Sequence, residues 1–127
     1  VLLIVAALDD AQLADFHDLT DEVGLDALVE IHDEAELERA LAIDARLVGV
    51  NQRDLVTFEV DTARAVRMGP HMPDGVILVA ESGIRDPADA APLLEAGYQA
   101  LLVGESVVTS SDRRGAIRAL RGLGAGE

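Results

Sequence analysis

Five short apolar runs recur along the 127-residue chain, and segments with helical spacing lie between them. Within each run the apolar residues are continuous rather than alternating, as in parallel strands that are covered on both faces. Strands that alternate with helices predict successive βαβ units, and therefore a single α/β domain with a parallel sheet. The predicted strands are Val1–Leu8, Ala27–Ile31, Leu47–Val50, Val76–Ala80 and Ala100–Val103.

Capping residues and glycines mark the ends of the predicted helices. Asp33 and Glu36 have the spacing of a capping box, and Asp86 is a cap that precedes a proline at the first helical position. Pro92 removes a backbone hydrogen bond inside that helix, which predicts a kink or a short helix. The predicted helices run from Asp9 or Asp10 to near Gly24, from Glu34 to Ile43, from Asp61 to Met68, from Asp86 to Gly97 and from Asp112 to Leu120, before a Gly-rich tail from Gly122 to Glu127.

The core must be built from aliphatic side chains, since half of the residues are hydrophobic but only 2% are aromatic. Helical spacing predicts which of them face inward. The predicted inward-facing residues are Leu13, Phe16, His17 and Leu19 in the first helix, Leu37, Ala40 and Leu41 in the second, and Val66 in the third.

The chain is strongly acidic, with 24 acidic and 10 basic residues and a formal net charge of −14. This balance argues against nucleic acid or an anionic membrane surface as a partner, because both require basic patches. All the basic residues are arginines, which do not titrate near neutral pH. Without any cysteine, the chain has no disulfide, thiol nucleophile or thiolate metal site.

No apolar run approaches the length of a membrane span, which needs about 20 residues. The run at Val1–Leu8 also lacks the basic start and small-residue cleavage site of a signal peptide. A cytoplasmic protein is therefore expected. Because the chain begins inside an apolar run without a methionine, we expect its true N-terminus to lie upstream.

Polar residues follow four of the predicted strands. In parallel α/β sheets the ligand sits beyond the carboxyl ends of the strands, so these residues are expected to meet at one rim. The four groups are Glu30 with His32, Asn51 with Arg53, Glu81 with Ser82 and Gly83, and Gly104 with Glu105 and Ser106.

Each polar side chain has a functional and a structural interpretation. Burial would make Glu30 a competent general base, or a neighbouring cap or arginine satisfies it. Asn51 suits the hydroxyls of a sugar-like substrate, or it forms a turn. Arg53 clamps a carboxylate or phosphate with its fork of donors, or it pairs with Asp54 or Glu59 on the surface.

Gly83 and Gly104 would let backbone N–H groups approach a phosphate closely, although turns also use glycine for positive φ. Ser82 and Ser106 have no evident histidine base, which disfavours serine nucleophile chemistry. A metal site is not expected, because the histidines lack metal-ligand spacing. These histidines are His17 on a helix face, His32 after a strand and His71 in a loop.

Four segments closely resemble the indole-3-glycerol phosphate synthase family of tryptophan biosynthesis. They are Leu28–Asp33, Gly49–Leu55, Val79–Ile84 and Leu102–Ser106, and the opening Leu2–Val5 run also matches. The resemblance covers nearly the whole chain and implies a (βα)8 TIM barrel. Residues 1–127 would form a single partial barrel domain, the C-terminal five-eighths with strands four to eight.

The resemblance implies a lyase without a cofactor. The family closes the ring of 1-(2-carboxyphenylamino)-1-deoxyribulose 5-phosphate with loss of carbon dioxide and water. By resemblance, Glu30 is the general base of the dehydration, while Asn51 and Glu81 bind substrate hydroxyls and organise the ring-closure intermediate. The implied substrate-binding residues are Arg53, Leu55 and Ser82, and the implied phosphate-binding residues are Gly83, Gly104 and Glu105.

The chain departs from this family's pattern in lacking its two catalytic lysines and the glutamate of the first and third strands. The 127-residue chain alone is therefore expected to be inactive. Gln52 stands where the family varies, and the acidic side chain of Glu105 must point outward from a phosphate.

Two other functional interpretations of the sequence remain. A phosphoribosylanthranilate isomerase would need a cysteine and aspartate pair and would not explain the block from Asn51 to Leu55. A non-catalytic half-barrel module would bind phosphate and associate with a complementary partner through its open sheet edges.

Overall fold

A computed structural model describes residues 1–122 as a five-stranded parallel sheet with the strands in chain order. The strands are β1 (Leu2–Ile4), β2 (Leu28–Ile31), β3 (Leu47–Asn51), β4 (Ile77–Glu81) and β5 (Ala100–Leu102). The α/β class and the five parallel strands are thus confirmed, and the architecture is consistent with a partial barrel. Beyond its first residue, the predicted Gly-rich tail lies outside the described residues.

Helices follow each of the strands. They are α1 (Asp10–Glu22), α2 (Glu34–Ala42), α3 (Arg64–Met68), α4 (Pro87–Glu95), α5 (Glu105–Val108) and α6 (Arg113–Leu120), with short 3-10 turns at Val5–Ala7 and Gly69–His71. Among the described residues, none of these helices has the length and hydrophobicity that a membrane crossing requires.

The first predicted strand is wrong beyond Ile4, where β1 ends and the 3-10 turn begins. Arg39 on α2 explains the difference. Its guanidinium donates to the carbonyl of Val5 at 3.1 Å and to that of Leu8 at 2.5 Å. These carbonyls bind a side chain instead of a neighbouring strand, so the sheet cannot continue through them.

The inward face of α1 also differs from the prediction. Leu13 and Thr20 are buried, whereas Phe16 is 44% and Leu19 is 52% exposed. At 3.6 residues per turn, Phe16 lies roughly 60° and Leu19 roughly 120° around the helix from Leu13. His17 is half-buried. Thr20 tolerates the inner position because its hydroxyl donates to the Phe16 carbonyl at 2.7 Å.

The cap of α2 is present, but its predicted reciprocal bond is not. Asp33 accepts a hydrogen bond from the backbone N–H of Glu36 at 2.8 Å. The Glu36 carboxylate, however, accepts from the backbone N–H of His32 at 2.7 Å, one residue before the cap. A complete capping box occurs instead at α1, between Asp9 and Gln12.

Helix α3 begins at Arg64 rather than at Asp61. The Asp61 side chain accepts a hydrogen bond from the backbone N–H of Ala63 at 3.1 Å. The backbone carbonyl of Asp61 accepts one from the backbone N–H of Arg64, also at 3.1 Å. These bonds form a turn before the helix. Val66 is half-buried and packs against the core, so its predicted inward orientation is confirmed.

Helix α4 has the predicted cap and remains short. The Asp86 side chain accepts hydrogen bonds from the backbone N–H groups of Ala88 and Asp89. Pro92 lies within the nine residues of the helix, and Gly97 follows it with a φ of +96°. Helix α5 was not predicted. Only Val103 and Gly104 separate its four residues from β5, and it includes Glu105 and Ser106 from the polar group predicted after the fifth strand.

The two faces of the sheet have different surroundings. Side chains alternate between faces along a strand, and register pairs share a face. One face packs against the helices and forms the core with residues of α1 to α4; its buried strand residues are Leu3, Val29, Ile31, Val48, Val50, Leu78 and Ala80. The helix-free face carries Glu30, Gly49, Asn51 and Glu81.

Candidate active site

Three polar side chains are buried together on the helix-free face. Glu30 is 3%, Asn51 is 6% and Glu81 is 3% exposed. The Asn51 side-chain N–H donates to Glu30 Oε1 at 3.1 Å, and Asn51 lies opposite Glu81 in the strand register. The carboxyl ends of β2, β3 and β4 therefore bring an amide and two carboxyl groups into one cluster.

The orientation of the Asn51 amide is set by its neighbours. Its Oδ1 accepts from the backbone N–H of Arg53 at 2.9 Å, which leaves the NH₂ group facing Glu30. The Asn51 carbonyl accepts from Arg64 at 2.9 Å. Asn51 thus has the turn-forming role considered above, and it also donates to the buried carboxylate of Glu30. Its contact with a substrate hydroxyl stays a prediction.

The pKa of Glu81 is raised from 4.5 to about 8. Burial is the main cause, and the negative charge of Glu30 and a hydrogen bond between the two carboxyl groups raise this pKa further. Glu81 therefore holds its proton at neutral pH. A protonated carboxyl beside Glu30 relieves the repulsion that two buried carboxylates would suffer.

Gly49 makes room for the Glu81 carboxyl. A methyl group built on Gly49 would lie 1.8 Å from Glu81 Oε1 and 3.2 Å from the Leu28 side chain. Gly49 is not among the site residues that the sequence predicted. The available signal was a glycine inside an apolar strand, which often marks a close approach of another group.

We expect Gly49→Ala to displace the Glu81 carboxyl from its buried position. The pKa of Glu81 should then fall from about 8 toward the ordinary value, because the displaced group is better solvated. Carbon-13 NMR titration of the glutamate carboxyls measures this change. Gly104→Ala is the matched control, since a methyl group there meets nothing within 4 Å; an unchanged Glu81 titration in Gly49→Ala would contradict the prediction.

The turn after β4 has an unusual backbone. Ser82 and Gly83 both adopt left-handed φ values, +67° and +71°. Gln52, which is 1% exposed, donates from its side chain to the Ser82 carbonyl at 2.8 Å and from its backbone to the Glu81 carbonyl at 2.9 Å. Gln52 therefore supports the turn, a role that its position in a variable place of the motif did not reveal.

A cavity of about 730 Å³ lies beyond the ends of β4 and β5. Its wall includes Glu81, Ser82, Gly83, Gly104, Glu105 and Arg53. The Ser106 hydroxyl donates to the Ile84 carbonyl at 3.0 Å and joins the two loops of this wall. Glu81 belongs both to the buried cluster and to the cavity, and thus connects them.

Arg53 reaches across the cavity wall. Its guanidinium lies 3.6 Å from Glu105 Oε2 and donates to the Phe58 carbonyl at 3.1 Å. The structure thus shows neither of the surface pairings considered for Arg53, with Asp54 or Glu59. The Glu105 side chain is 83% exposed, and its carboxylate contacts Arg53, which belongs to the same wall.

Leu55 stands apart from these groups. It is 40% exposed and is absent from the cavity wall. Asp54 holds the turn that contains it, by accepting from the backbone N–H groups of Val56 and Thr57, both at 2.8 Å. Within residues 1–122, no group of three or more potential metal-ligating side chains comes together.

Comparison with known proteins identifies the family. The family model for indole-3-glycerol phosphate synthase matches residues 1–120. The chain belongs to the indole-3-glycerol phosphate synthase family. The predicted resemblance is thereby confirmed at the level of the family.

Related sequences agree with this assignment. A Nocardioides sp. protein named indole-3-glycerol phosphate synthase is 50% identical over 97% of this chain and 47% of its own length. Proteins of the same name are 52% identical in Parafrankia sp., over 90% of this chain and 42% of that protein, and 48% identical in Mycobacterium tuberculosis, over 92% and 43%. The chain spans less than half the length of these curated relatives.

Solved structures support the fold. A thiamine phosphate pyrophosphorylase from Pyrococcus furiosus has a TM-score of 0.74 at 18% identity, over 97% of this chain and 57% of that one. The Amycolatopsis orientalis BexX/CysO complex contains a chain with a TM-score of 0.60 at 19% identity, over 94% and 52%. At these identities the likeness concerns the fold alone.

Proposed function

We propose that the complete gene product containing this chain is an indole-3-glycerol phosphate synthase. It would close the ring of 1-(2-carboxyphenylamino)-1-deoxyribulose 5-phosphate, with loss of carbon dioxide and water. Family membership supports the activity. The main structural support is the buried cluster of Glu30, Asn51 and Glu81 beside a cavity at the carboxyl ends of the strands.

In this proposal Glu30 is the general base of the dehydration. The Asn51 amide donates to Glu30 Oε1 and holds that carboxylate in place. Glu81, protonated at neutral pH, can give a hydrogen bond to a substrate hydroxyl without adding a second negative charge. Two neighbouring carboxyl groups with different protonation are well suited to separate roles.

The phosphate would bind in the cavity between the loops after β4 and β5. Backbone N–H groups near Gly83 and Gly104 can approach it, with Ser82 beside them and Arg53 as one of two arginines on the wall, the other being Arg85. Glu105 would contribute its backbone N–H only, because its carboxylate would repel a phosphate; the carboxylate lies 3.6 Å from the Arg53 guanidinium instead. Leu55 would border the aromatic part of the substrate, outside the wall of this cavity.

The family's lysine general acid has no counterpart in this chain, which contains no lysine. We therefore propose that the chain supplies the base and the phosphate site, while the acid comes from outside these 127 residues. Removal of a general acid typically costs about 10² to 10⁴ in rate. The chain alone is thus expected to be inactive.

A second proposal is a module that associates with a partner. Leu2 on one edge strand and Leu102 on the other are 47% and 51% exposed, as expected for edges that a complementary piece would cover. An assay of indole-3-glycerol phosphate formation separates the proposals. The complete gene product, the 127-residue chain, and the chain mixed with the N-terminal half of a relative are compared.

Turnover by the complete gene product, and its recovery on complementation, would support the enzyme. Phosphate binding without turnover in all three samples would support the module. Turnover by the chain alone would contradict the proposed need for an external acid.

Gly104→Ala is expected to weaken substrate binding with little effect on stability. A methyl group on Gly104 meets no protein atom within 4 Å, and Gly104 is part of the cavity wall at which the phosphate would bind. Loss of one hydrogen bond to a charged phosphate costs about 1.5 to 3 kcal/mol, so KM should rise roughly tenfold or more. Steady-state kinetics and thermal unfolding measure the two effects.

Gly83→Val is a poorer test of the same site. Its added carbon would lie 2.6 Å from the Val60 side chain, in a backbone conformation that disfavours side chains. Destabilisation would therefore accompany any loss of binding.

An unchanged KM in Gly104→Ala would remove the loop after β5 from the phosphate site.

A further inference from the structure

His32 lies between the proposed base and a second carboxylate. Its Nδ1 is 3.1 Å from Glu36 Oε2, and the same oxygen accepts from the His32 backbone N–H at 2.7 Å. Its Nε2 is 3.6 Å from Glu30 Oε1. The side chain is 12% exposed, and Nε2 is buried without a hydrogen-bond partner in the described part of the chain.

The two contacts constrain where protons can be. A carboxylate can only accept a hydrogen bond, so Glu36 favours a proton on Nδ1 of His32. In the neutral ring, Nε2 then presents a lone pair to Glu30. Attraction across this gap requires one proton, either on Glu30 or on Nε2.

We infer that His32 is a positioning residue for Glu30, whose Nε2 receives the proton that Glu30 takes from the substrate. This inference rests on the proposed role of Glu30 as a base. The O–H bond at Glu30 Oε1 breaks as the N–H bond at Nε2 forms, which restores the carboxylate. The imidazolium lies between Glu30 and Glu36, and the proton then leaves to water.

The distance of 3.6 Å is longer than a hydrogen bond. A small rotation of either side chain closes it, and catalytic hydrogen bonds often tighten only when substrate is bound. The ionisable groups around the pair are Glu36 from α2 and Glu81 from β4. Glu81 is neutral at neutral pH, so His32 is the basic group beside the Glu30 carboxylate.

A first experiment tests the geometry without an activity assay. Nitrogen-15 NMR of the complete gene product, labelled at histidine, reports which ring nitrogen carries a proton. His32→Asn assigns the signal. We expect Nδ1 of His32 to be protonated in the parent protein, and this preference to be lost in Glu36→Ala, which removes the acceptor. A neutral ring protonated on Nε2, or no change in Glu36→Ala, would overturn the inference.

A second experiment tests proton transfer. His32→Gln places an amide near the position of Nε2 but cannot take up a proton, so kcat should fall roughly tenfold or more while KM stays within about twofold. In His32→Ala, added imidazole should restore part of kcat. Parental kcat in His32→Gln would show that a hydrogen-bonding group suffices, and failure of imidazole rescue would also count against proton transfer.

The two experiments separate this inference from the proposed function. If the parent protein forms no indole-3-glycerol phosphate, the proposed function is wrong, while the NMR result still decides the protonation of His32. If the parent protein is active and His32→Gln has normal turnover, only the role of His32 is wrong.

Discussion

Glu30→Gln is expected to lower kcat of the complete gene product by about 10² to 10⁴ while changing KM less than tenfold. The substitution keeps the size of the side chain and removes its ability to take a proton. The amide oxygen can still accept the hydrogen bond from Asn51, which spans 3.1 Å in the parent structure. Binding contacts are thus largely preserved, and the loss should fall on turnover.

The effect of this substitution on folding should be small or favourable. Glu30 is 3% exposed, and its charge is one of the causes that raise the pKa of Glu81. Neutralising Glu30 should therefore lower the pKa of Glu81 from about 8, which carbon-13 NMR can follow alongside the kinetics. That shift would confirm the coupling independently of any activity.

Glu38→Gln is a suitable control for this experiment. Glu38 lies exposed on α2, and its substitution removes the same charge as Glu30→Gln. Its kcat and KM should remain near the parent values. Near-normal turnover in Glu30→Gln would falsify the role of Glu30 as the base. A rise in KM with unchanged kcat would instead assign it to substrate binding.

The second large effect concerns the pH dependence of stability. In the unfolded chain Glu81 should lose its proton near pH 4.5, whereas the folded chain holds it until about pH 8. Between these values the folded state binds more protons, so the free energy of unfolding decreases as pH rises and levels off above about 8. At 1.36 kcal/mol per pKa unit, the upper limit of the loss is about 5 kcal/mol.

Glu81→Gln should remove most of this contribution, since its side chain is neutral at every pH. Urea unfolding at pH 5 and pH 9 gives the difference for each protein, and the difference should be smaller in the variant. The complete gene product is used for both. An equal loss of stability in the parent protein and the variant would show that the Glu81 carboxyl is ionised in the folded state.

Other carboxylates act in a different pH range. Arg67 lowers the pKa of Asp61 through a hydrogen bond, and Arg85 does the same for Asp89. Their contributions are present above the ordinary carboxyl pKa and are lost as pH falls through the lowered values. They therefore do not obscure the decrease expected between pH 5 and pH 9.

Much of the fold could be predicted because buried parallel strands have continuous apolar runs. The ends of β2 to β5 agree with the predicted strands to within one residue. Polar residues directly after these runs had to meet at one rim, and the structure places Glu30, Asn51 and Glu81 there. Their chemical roles remain predictions.

What could not be predicted depends on contacts between distant residues. Arg39 ends β1 by binding carbonyls more than 30 positions earlier in the chain. Gly49 matters only because the Glu81 carboxyl lies over it. Glu36 had the spacing to reach the cap, but the neighbouring N–H of His32 was equally accessible and is the one it binds.

The hydrogen bond from Ser106 to the Ile84 carbonyl has a consequence for engineering this scaffold. Because it joins the segments after β4 and β5, the two segments should be exchanged together in a chimera, although about twenty residues separate them in sequence. A graft that replaced one segment alone would leave the partly buried Ile84 carbonyl or Ser106 hydroxyl without its hydrogen-bond partner. Altered ligand preference is therefore best sought by exchanging both segments together, with α4 between them.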